Sequence, residues 1–201
     1  EIGARVETEL EQHMSVPLLV NRINLNNLEN ELLDMEDVSM RNRYFAAQME
    51  AFPLISYSFL GLENAEFYGA RRNEERGIEA IVNNARTGGA SWYYRLDSHR
   101  DAAEKVVEIP NFDCRTRPWY KAGKEAGRAV YSEVYRHFVY KDLAVTAAEP
   151  WYGRDGTFKG VLGVDFRLDS INAFLADMKA TEFATIVIVE QDSGMLVGNS
   201  M

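Results

Sequence analysis

The chain is short of the residues that many functional classes require. Its 201 residues include one cysteine, Cys114, and three histidines, His13, His99 and His137. A single cysteine excludes an internal disulfide and a multi-cysteine metal site, and the scattered histidines lack the spacing of a ligand pair. We therefore predict no metal and no cofactor. One thiol is compatible with the cytosol and with the periplasm, so it does not indicate a compartment.

Positive charge and long apolar runs are also scarce. The net charge of -9 argues against nucleic acid as a partner and against polybasic attachment to anionic lipid. No run of about 18 apolar residues is present, so we expect no membrane span within the chain. The first residue is Glu1 and no signal peptide precedes it, which we interpret as a piece of a longer protein.

The first 52 residues are predicted to be helical. Apolar side chains recur there at the spacing of an amphipathic helix. Pro17 is expected to kink the helix or to begin a new one. A break at 34–37 and Pro53 bound a second helix. The recurring residues are Val6, Leu10, Met14, Leu18, Leu25, Leu28, Leu32 and Met35.

From residue 54 the pattern changes to β-prone runs separated by turn residues. Two hairpins are expected first, then a loop, and a helix at 170–179 capped by Asp169 precedes a final hairpin. Strands joined by short turns, with helices at their flanks, predict an α+β fold built on an antiparallel sheet. The expected strands are 54–62, 65–72, 79–85, 90–97, 129–138, 142–152 and 158–168, and the last hairpin spans 184–201.

The stretch "FDCRTRPWYKAG" at 112–123 carries the first group of candidate site residues. Pro118 is expected at the first position of a short helix, so free backbone N–H groups and the Arg117 guanidinium could bind an anion. Trp119 and Tyr120 would add an apolar wall with polar tips. Alternatively, Arg117 pairs with Asp113 or Asp165 and fastens the loop to the sheet, while Trp119 belongs to the core.

The second group lies in later strands. Tyr131 and Tyr135, four residues apart in one expected strand, would point to the same face as Glu133, and His137 would continue the row. His137 could equally be a surface or structurally satisfied histidine. Asp165 could equally be a structural partner of the loop.

Three stretches resemble the double Cache sensor domain, the PAS-like extracellular module of bacterial transmembrane receptors. They are "RTRPWY" at 115–120, the paired strands and "GVLGVD" within 144–175, and "IVIVEQDSGMLVGNS" at 186–200. The resemblance implies an N-terminal helical segment at 1–52 and a membrane-distal ligand-binding lobe at 53–168. It also implies a connecting helix at 169–183 and the start of an incomplete membrane-proximal lobe at 184–201.

The resemblance also implies a ligand. In this family the distal lobe commonly holds an amino acid or another carboxylate. Arg117, Trp119, Tyr120, Tyr135 and Asp165 fit the pattern of the amino-acid-binding members. Two positions depart from it, because Phe112 replaces a tyrosine and His137 replaces the aspartate expected to bind the ammonium group. The resemblance therefore implies that the residues that bind the ligand carboxylate are retained and that binding of the ammonium group is weakened. An organic acid is thus an alternative to an amino acid.

The implied function is a sensor and not an enzyme. The domain would lie on the periplasmic or extracellular face of the bacterial inner membrane, with its transmembrane helices outside this chain. Binding would be relayed through the N-terminal and connecting helices to an output domain.

Two alternatives remain open. The module could signal through a partner protein, or as a homodimer along its N-terminal helix, with no small ligand. It could instead be an acid-dependent hydrolase. No nucleophile elbow, P-loop or HExxH motif supports the hydrolase. The acids it would use are Glu133, Glu149, Asp155 and Asp165.

Overall fold

The computed structural model describes residues 2–75, 77–139, 143–167, 172, 175–176, 185, 187–189 and 196–200. Three helices are bounded within this part: α1 (Ile2–Glu29), α2 (Val38–Ala51) and α3 (Pro118–Ala126). Short 3-10 turns lie at Ala85–Thr87 and Cys114–Thr116. None of the helices in the described ranges combines the length and the apolar character needed to cross a bilayer.

The two predicted N-terminal helices are present, but the apolar stripe of the first is shorter than predicted. Helix α1 continues through Pro17, so no new helix begins there. It ends at Glu29, which leaves Leu32 of the expected apolar stripe 70% exposed while Leu33 is buried. The break before α2 is confirmed: the Asp37 carboxylate accepts a hydrogen bond from the Met40 N–H at 2.9 Å and caps the helix.

Nine strands of the described chain form one antiparallel sheet. Its order is β5-β4-β3-β2-β1-β9-β8-β6, and β7 also pairs with β8. The prediction of an α+β fold is therefore confirmed. The strands are β1 (Tyr57–Leu62), β2 (Phe67–Arg72), β3 (Ile78–Asn83), β4 (Ser91–Leu96), β5 (Ala102–Ile109), β6 (Val130–Tyr131), β7 (Tyr135–Arg136), β8 (Leu143–Tyr152) and β9 (Phe158–Arg167).

Three details of the predicted strands need comment. The segment 102–109, expected to be loop, is the edge strand β5, and its largely exposed, charge-bearing residues hid it. The single strand expected at 129–138 is wrong, because β6 and β7 are two short strands separated by 132–134. The final hairpin is present as β10 (Val187–Val189) paired with β11 (Leu196–Asn199). The expected helix at 170–179 and its cap, Asp169, fall largely outside the described residues.

The sheet has a core on each face because side chains alternate along every strand. Helices α1 and α2 cover one face, where Val20, Phe45 and Val164 pack. Helix α3 covers the other, where Trp119 packs on Phe59 with ring centres 4.7 Å apart. The face under α3 carries the candidate site.

Glycine at position 163 lets the Phe59 ring lie flat across the sheet. A Cβ there would come within 2.1 Å of Phe59 Cε2. Phe59 pairs in register with Gly163 on β9 and with Gly69 on β2, so its ring has no side chain beside it in either neighbouring strand. The large apolar core under α3 depends on this space.

Candidate functional site

The Cys114–Thr116 turn and helix α3 position Arg117. Arg117 is the N-terminal cap residue of α3, and Pro118 occupies the first turn. The Asp113 carboxylate caps the preceding 3-10 turn and forms an ion pair with Arg115 at 2.9 Å. Asp113 is therefore engaged by the neighbouring arginine and not by Arg117.

The Arg117 guanidinium lies beside two aromatic rings that also pack against each other, with their centres 4.7 Å apart. Its Cζ atom is 4.7 Å from the centre of the Phe112 ring and 4.9 Å from the centre of the Phe138 ring. Its Nε is buried and has no hydrogen-bond partner. Within the described part of the chain, the guanidinium has no ion pair with a carboxylate. The alternative in which Arg117 fastens the loop through Asp113 or Asp165 is therefore not what the described residues show.

Trp119 and Tyr120 face the core of the sheet. Both are about fully buried, at 1% exposure, and their rings contact each other at 5.6 Å. The Tyr120 hydroxyl donates to Glu63 at 2.7 Å, and Glu63 also binds Lys124 at 2.8 Å. Burial, followed by the Glu63 carboxylate, raises the pKa of Tyr120. These residues anchor α3 on the sheet.

Asp165 is the buried acid of the site. It is 1% exposed, and its Oδ1 accepts a 2.6 Å hydrogen bond from the Thr146 hydroxyl. Thr146 Oγ1 lies 2.8 Å from the Tyr135 hydroxyl, and because the threonine proton points to Asp165, Tyr135 is the donor of that bond. Burial raises the pKa of Tyr135 well above its ordinary value, the Asp165 charge adds to this, and the Arg117 charge opposes it.

His137 is buried beside Asp165. Its Nε2 is 3.5 Å from Asp165 Oδ2, and its Nδ1 accepts the Val139 N–H at 3.2 Å. The ring lies 4.6 Å from the centre of Tyr57 and stacks on Phe138 at 4.6 Å. His137 and Arg117 thus contact the same phenylalanine, and the structure brings Arg117, Tyr135, His137 and Asp165 together.

Asp165 begins a row of polar residues that crosses the sheet, which we call the polar row. Cross-strand pairing places Thr146, Asp165, Tyr57, Arg71 and Glu79 side by side on β8, β9, β1, β2 and β3. Arg71 binds Glu79 at 2.7 Å and donates to the Tyr57 hydroxyl at 3.3 Å.

Sequence reasoning missed Thr146, Tyr57, Arg71 and Glu79. The available signal was one charge inside each of two consecutive apolar runs, "FYGAR" and "IEAIV". The pairing of those charges depends on strand register, which the sequence pattern did not supply.

Tyr131 and the other acids lie elsewhere. The Tyr131 hydroxyl donates to the Met14 carbonyl in α1. Tyr131 lies in β6 and Tyr135 in β7, so the two tyrosines do not share one strand as predicted. Glu149 pairs with Arg22 at 3.0 Å on the α1 face, and Asp155 accepts a turn hydrogen bond from the Thr157 N–H.

A surface cleft of about 340 Å³ lies at the end of α1 and the β8–β9 turn. Its lining shares no residue with the Arg117 cluster. The lining residues are Leu28, Glu29, Glu31, Trp151, Tyr152, Gly153 and Arg154.

An antiparallel sheet with a long N-terminal helix on one face and a short helix on the other is the architecture of sensor domains of the double Cache type. Residues 54–173 match the family described as methyl-accepting chemotaxis protein-like, first PDC sensor domain, and the chain belongs to that family. The family consists of ligand-binding sensor domains of signal-transduction proteins and is not typically enzymatic. No curated protein matches the chain significantly.

Solved chemoreceptor domains share the fold at low identity. The ligand-binding domain of the Campylobacter jejuni chemoreceptor Tlp3 in complex with 4-methylisoleucine is 15% identical, with a TM-score of 0.65 over 98% of this chain and 66% of that one. The same domain in complex with L-valine is also 15% identical, with a TM-score of 0.65 over 98% of this chain and 68% of that one. The ligand-binding domain of the Pseudomonas aeruginosa PAO1 amino acid chemoreceptor PctC in complex with GABA is 16% identical, with a TM-score of 0.63 over 98% of this chain and 72% of that one. The chain thus spans about two thirds of these domains, and the likeness establishes the fold.

Proposed function

We propose that this chain is part of an extracytoplasmic sensor domain that binds a small carboxylate, an amino acid or an organic acid, at Arg117. The observation that carries the proposal is the guanidinium packed beside Phe112 and Phe138 without an anionic partner among the described residues. Arg117 is partly buried, and its Nε is a buried donor without a hydrogen-bond partner, which is costly. A ligand carboxylate would accept two parallel hydrogen bonds from the guanidinium, each worth about 1.5–3 kcal/mol.

The other candidates have supporting roles in this proposal. Tyr135, His137 and Asp165 form the polar wall that faces the ligand. Trp119 and Tyr120 hold α3, and therefore Arg117, at a fixed height above the sheet. Tyr131 attaches β6 to α1 through the Met14 carbonyl.

The test compares two neighbouring arginines. Binding of a panel of small amino acids and organic acids is measured by isothermal titration calorimetry with wild type, Arg117→Ala and Arg115→Ala. We expect Arg117→Ala to weaken binding of the tightest carboxylate by at least about 100-fold, because two charge-assisted hydrogen bonds are lost. Arg115 is the matched control because its guanidinium is already paired with Asp113 and exposed. Equal binding by all three proteins, or no binding to folded wild type, contradicts the proposal.

The relay through α1 is supported by contacts that adjoin the site. Asn21 in α1 donates to the Ala147 carbonyl at 2.7 Å, and Ala147 follows Thr146 in β8. Asn24 lies 3.4 Å from the Ser58 hydroxyl, and Ser58 follows Tyr57 in β1. We expect hydrogen exchange of α1 amides to change when the tightest carboxylate of the panel is added, and less so in Asn21→Ala. Unchanged exchange in wild type would argue against a relay through α1.

The division of the chain into lobes belongs to the same proposal. It is supported by the pairing of β10 with β11 in a sheet separate from the nine-stranded one. The location outside the cytoplasm is supported by the family. A fusion of the full-length protein to alkaline phosphatase within 184–201 is expected to be active in intact bacteria, and an inactive fusion would contradict that location.

A second candidate is a homodimer along α1. Leu19 and Ile23, four residues apart on α1, are 54% and 37% exposed. Four-residue spacing places both on one side of the helix, as a helix–helix contact requires. Sedimentation equilibrium is expected to detect a dimer that Leu19→Ser with Ile23→Ser abolishes. A monomer at all accessible concentrations would remove this candidate.

A further inference from the structure

We propose that the surface cleft at the end of α1 is a second binding site, which takes a small organic cation with an apolar body, such as an amine or a quaternary ammonium compound. This site shares no residue with the Arg117 cluster, and the inference does not rest on the proposed function. It follows from the size of the cleft, the charges at its rim and the tryptophan in its lining.

The cleft has the size and the apolar lining of a small-ligand site. Its volume of about 340 Å³ lies within the range of about 300–1,000 Å³ that such sites occupy. Leu28 is buried, and Trp151 is partly buried and packs against the leucine cluster between α1 and the sheet. Both line the cleft, so the apolar body of a ligand would contact a surface that the core holds in place. Tryptophan is also the side chain whose ring face attracts a cation most strongly.

The end of α1 carries negative charge where a helix ordinarily carries positive charge. The C-terminus is the negative end of the helix dipole, and a basic residue in the last turn ordinarily complements it. The last turn of α1 contains no basic residue, and the helix ends at Glu29. The Glu31 N–H then donates to the Leu28 carbonyl at 3.2 Å, so the chain turns and keeps Glu31 at the same helix end. Two carboxylates and the dipole therefore favour a cation here.

A buried carboxylate near the cleft has one oxygen without a partner. Glu149 precedes Trp151 by two residues in β8, so both side chains point to the α1 face. Its Oε1 binds Arg22 at 3.0 Å, whereas its Oε2 is buried and accepts no hydrogen bond from the described residues. Burial raises the pKa of Glu149, Arg22 lowers it, and the Glu29 charge adds to the rise, so the two carboxylates lie within electrostatic reach. A cation bound at Glu29 would offset this repulsion.

The positive side chains near the cleft leave its rim acidic. Arg154 binds Glu31 at 3.2 Å, but the two side chains are 77% and 75% exposed, and pairs of that kind are weak. Lys159 lies beside the Asp155 carboxylate in the β8–β9 turn. Within the described part of the chain, Glu29 has no ion-pair partner. An incoming cation would therefore meet one free carboxylate and a second that only an exposed arginine holds.

The experiment compares cations with neutral compounds of the same shape. The pairs are choline with 3,3-dimethylbutan-1-ol, and putrescine with butane-1,4-diol. Isothermal titration calorimetry at low ionic strength measures the dissociation constants. We expect at least one cation to bind at least about tenfold tighter than its neutral counterpart and to bind less tightly as salt is added. If neither cation binds the folded chain, or if the neutral compounds bind equally well, the proposal is overturned.

Variants of exposed rim residues assign the binding to the cleft. Glu29→Gln combined with Glu31→Gln should weaken binding of the cation by about tenfold, because two attractive charges are lost. Arg154→Ala should strengthen it by about two- to fivefold, because a competing guanidinium is removed. The matched control is Glu7→Gln with Glu11→Gln, which removes the same charge from exposed positions of α1. Since Glu11 lies about 27 Å along the helix from Glu29, we expect the affinity to be unchanged.

Tryptophan fluorescence provides an independent test of location. The chain has three tryptophans, and Trp151 is the one that lines the cleft. The tighter cation should change the emission of wild type, and Trp151→Phe should abolish that change while Trp92 and Trp119 still emit. A change of the same size in Trp151→Phe would place the cation elsewhere and would overturn the proposal.

The remaining outcomes separate the cleft from general attraction to an acidic protein and from the Arg117 site. Equal weakening in the rim variant and in the Glu7 and Glu11 control would indicate general attraction and overturn the proposal, as would weaker binding in Arg154→Ala. Arg117→Ala should bind the cation as wild type does, whether or not it binds carboxylates. Loss of cation binding in folded Arg117→Ala would contradict a separate site.

Discussion

Two arginines on the α3 face of the sheet differ in how their charge is matched. Arg71 has the Glu79 carboxylate at 2.7 Å and stacks on the Tyr93 ring at 4.0 Å. Arg117 has two aromatic rings and no carboxylate among the described residues. A paired, buried arginine is a structural element, whereas an unpaired one can serve a ligand.

Removing Arg71 should destabilise the fold strongly. Arg71→Met leaves Glu79 as a buried charge, which costs about 3–5 kcal/mol. The matched control is Arg95→Met, because Arg95 binds Glu104 at 2.9 Å with both side chains more than half exposed. Exposed pairs contribute about 0–1 kcal/mol. Urea unfolding measures both, and equal losses would show that the Arg71–Glu79 pair does not behave as a buried one.

For single residues, the sequence predicted which residues belong to the candidate site better than it predicted their contacts. The "RTRPWY" motif placed Arg117 and Pro118 correctly at the start of a short helix. It could not show that Asp113 binds Arg115 or that His137 faces Asp165, because the first depends on side-chain geometry and the second on strand register.

Among the elements, helix α3 owes its height above the sheet to one small residue. A Cβ at Gly123 would come within 2.7 Å of Val161 Cγ1 and 3.3 Å of the Ala148 Cβ. Val161 and Ala148 belong to the two long strands β9 and β8. The helix that begins next to Arg117 therefore rests directly on the sheet.

Enlarging Gly123 should lift α3 and misplace Arg117. We expect Gly123→Val to cost about 1–3 kcal/mol through overpacking. It should also weaken binding of whichever carboxylate the panel identifies. Ala126→Val, at an exposed position of the same helix, is the control for the β-branched side chain. Circular dichroism melting measures the stability, and calorimetry measures the affinity. Unaltered affinity in a destabilised Gly123→Val would show that the height of α3 above the sheet does not affect binding.

The elements that the sequence predicted well were those with clear periodicity. Hairpins β1–β2 and β3–β4 were predicted from apolar runs and turn residues, and Tyr93 is fully buried opposite the partly exposed Trp92 and Tyr94, as alternation required. Strand β5 was missed because its first half, 102–105, is exposed and only Val106, Val107 and Ile109 pack against the core. The segment 129–138 was misread because a continuous β-prone run does not reveal a break at 132–134.

For the molecule as a whole, Cys114 reports on unfolding. It is fully buried, and burial, followed by the Asp113 charge, raises the pKa of its thiol to about 12. We expect slow reaction with a disulfide reagent in native buffer and full reaction in urea. A carboxylate at 100 times its dissociation constant should slow the reaction by about 100-fold if opening is global. Rapid native labelling would instead indicate local opening of the turn before Arg117.

Stability of the whole chain should depend on pH through Glu149. This carboxyl is 3% exposed, and burial raises its pKa above the ordinary 4.5, opposed by Arg22. The folded state then binds the proton more tightly than the unfolded state. Its contribution is fully present below pH 4.5 and is lost as the pH rises through the folded pKa.

The comparison of two variants tests this dependence. From acid to neutral pH, we expect wild type to lose stability relative to Glu149→Gln. Arg22→Gln should steepen the loss, since it removes the charge that opposes the shift. Urea unfolding across that range gives the free energies, and a difference between wild type and Glu149→Gln that is constant with pH would contradict the raised pKa.

In each of strands β1 and β8, a residue of the candidate site is followed directly by a residue that contacts helix α1. Tyr57 lies beneath the His137 ring and the next residue, Ser58, contacts α1; Thr146 binds Asp165 and the carbonyl of the next residue, Ala147, accepts from α1. A single planar peptide unit therefore separates the two surfaces in both strands. A ligand bound on the α3 face would therefore act on α1 through a shift of the strand backbone alone. No series of side-chain rearrangements would be needed between the two faces.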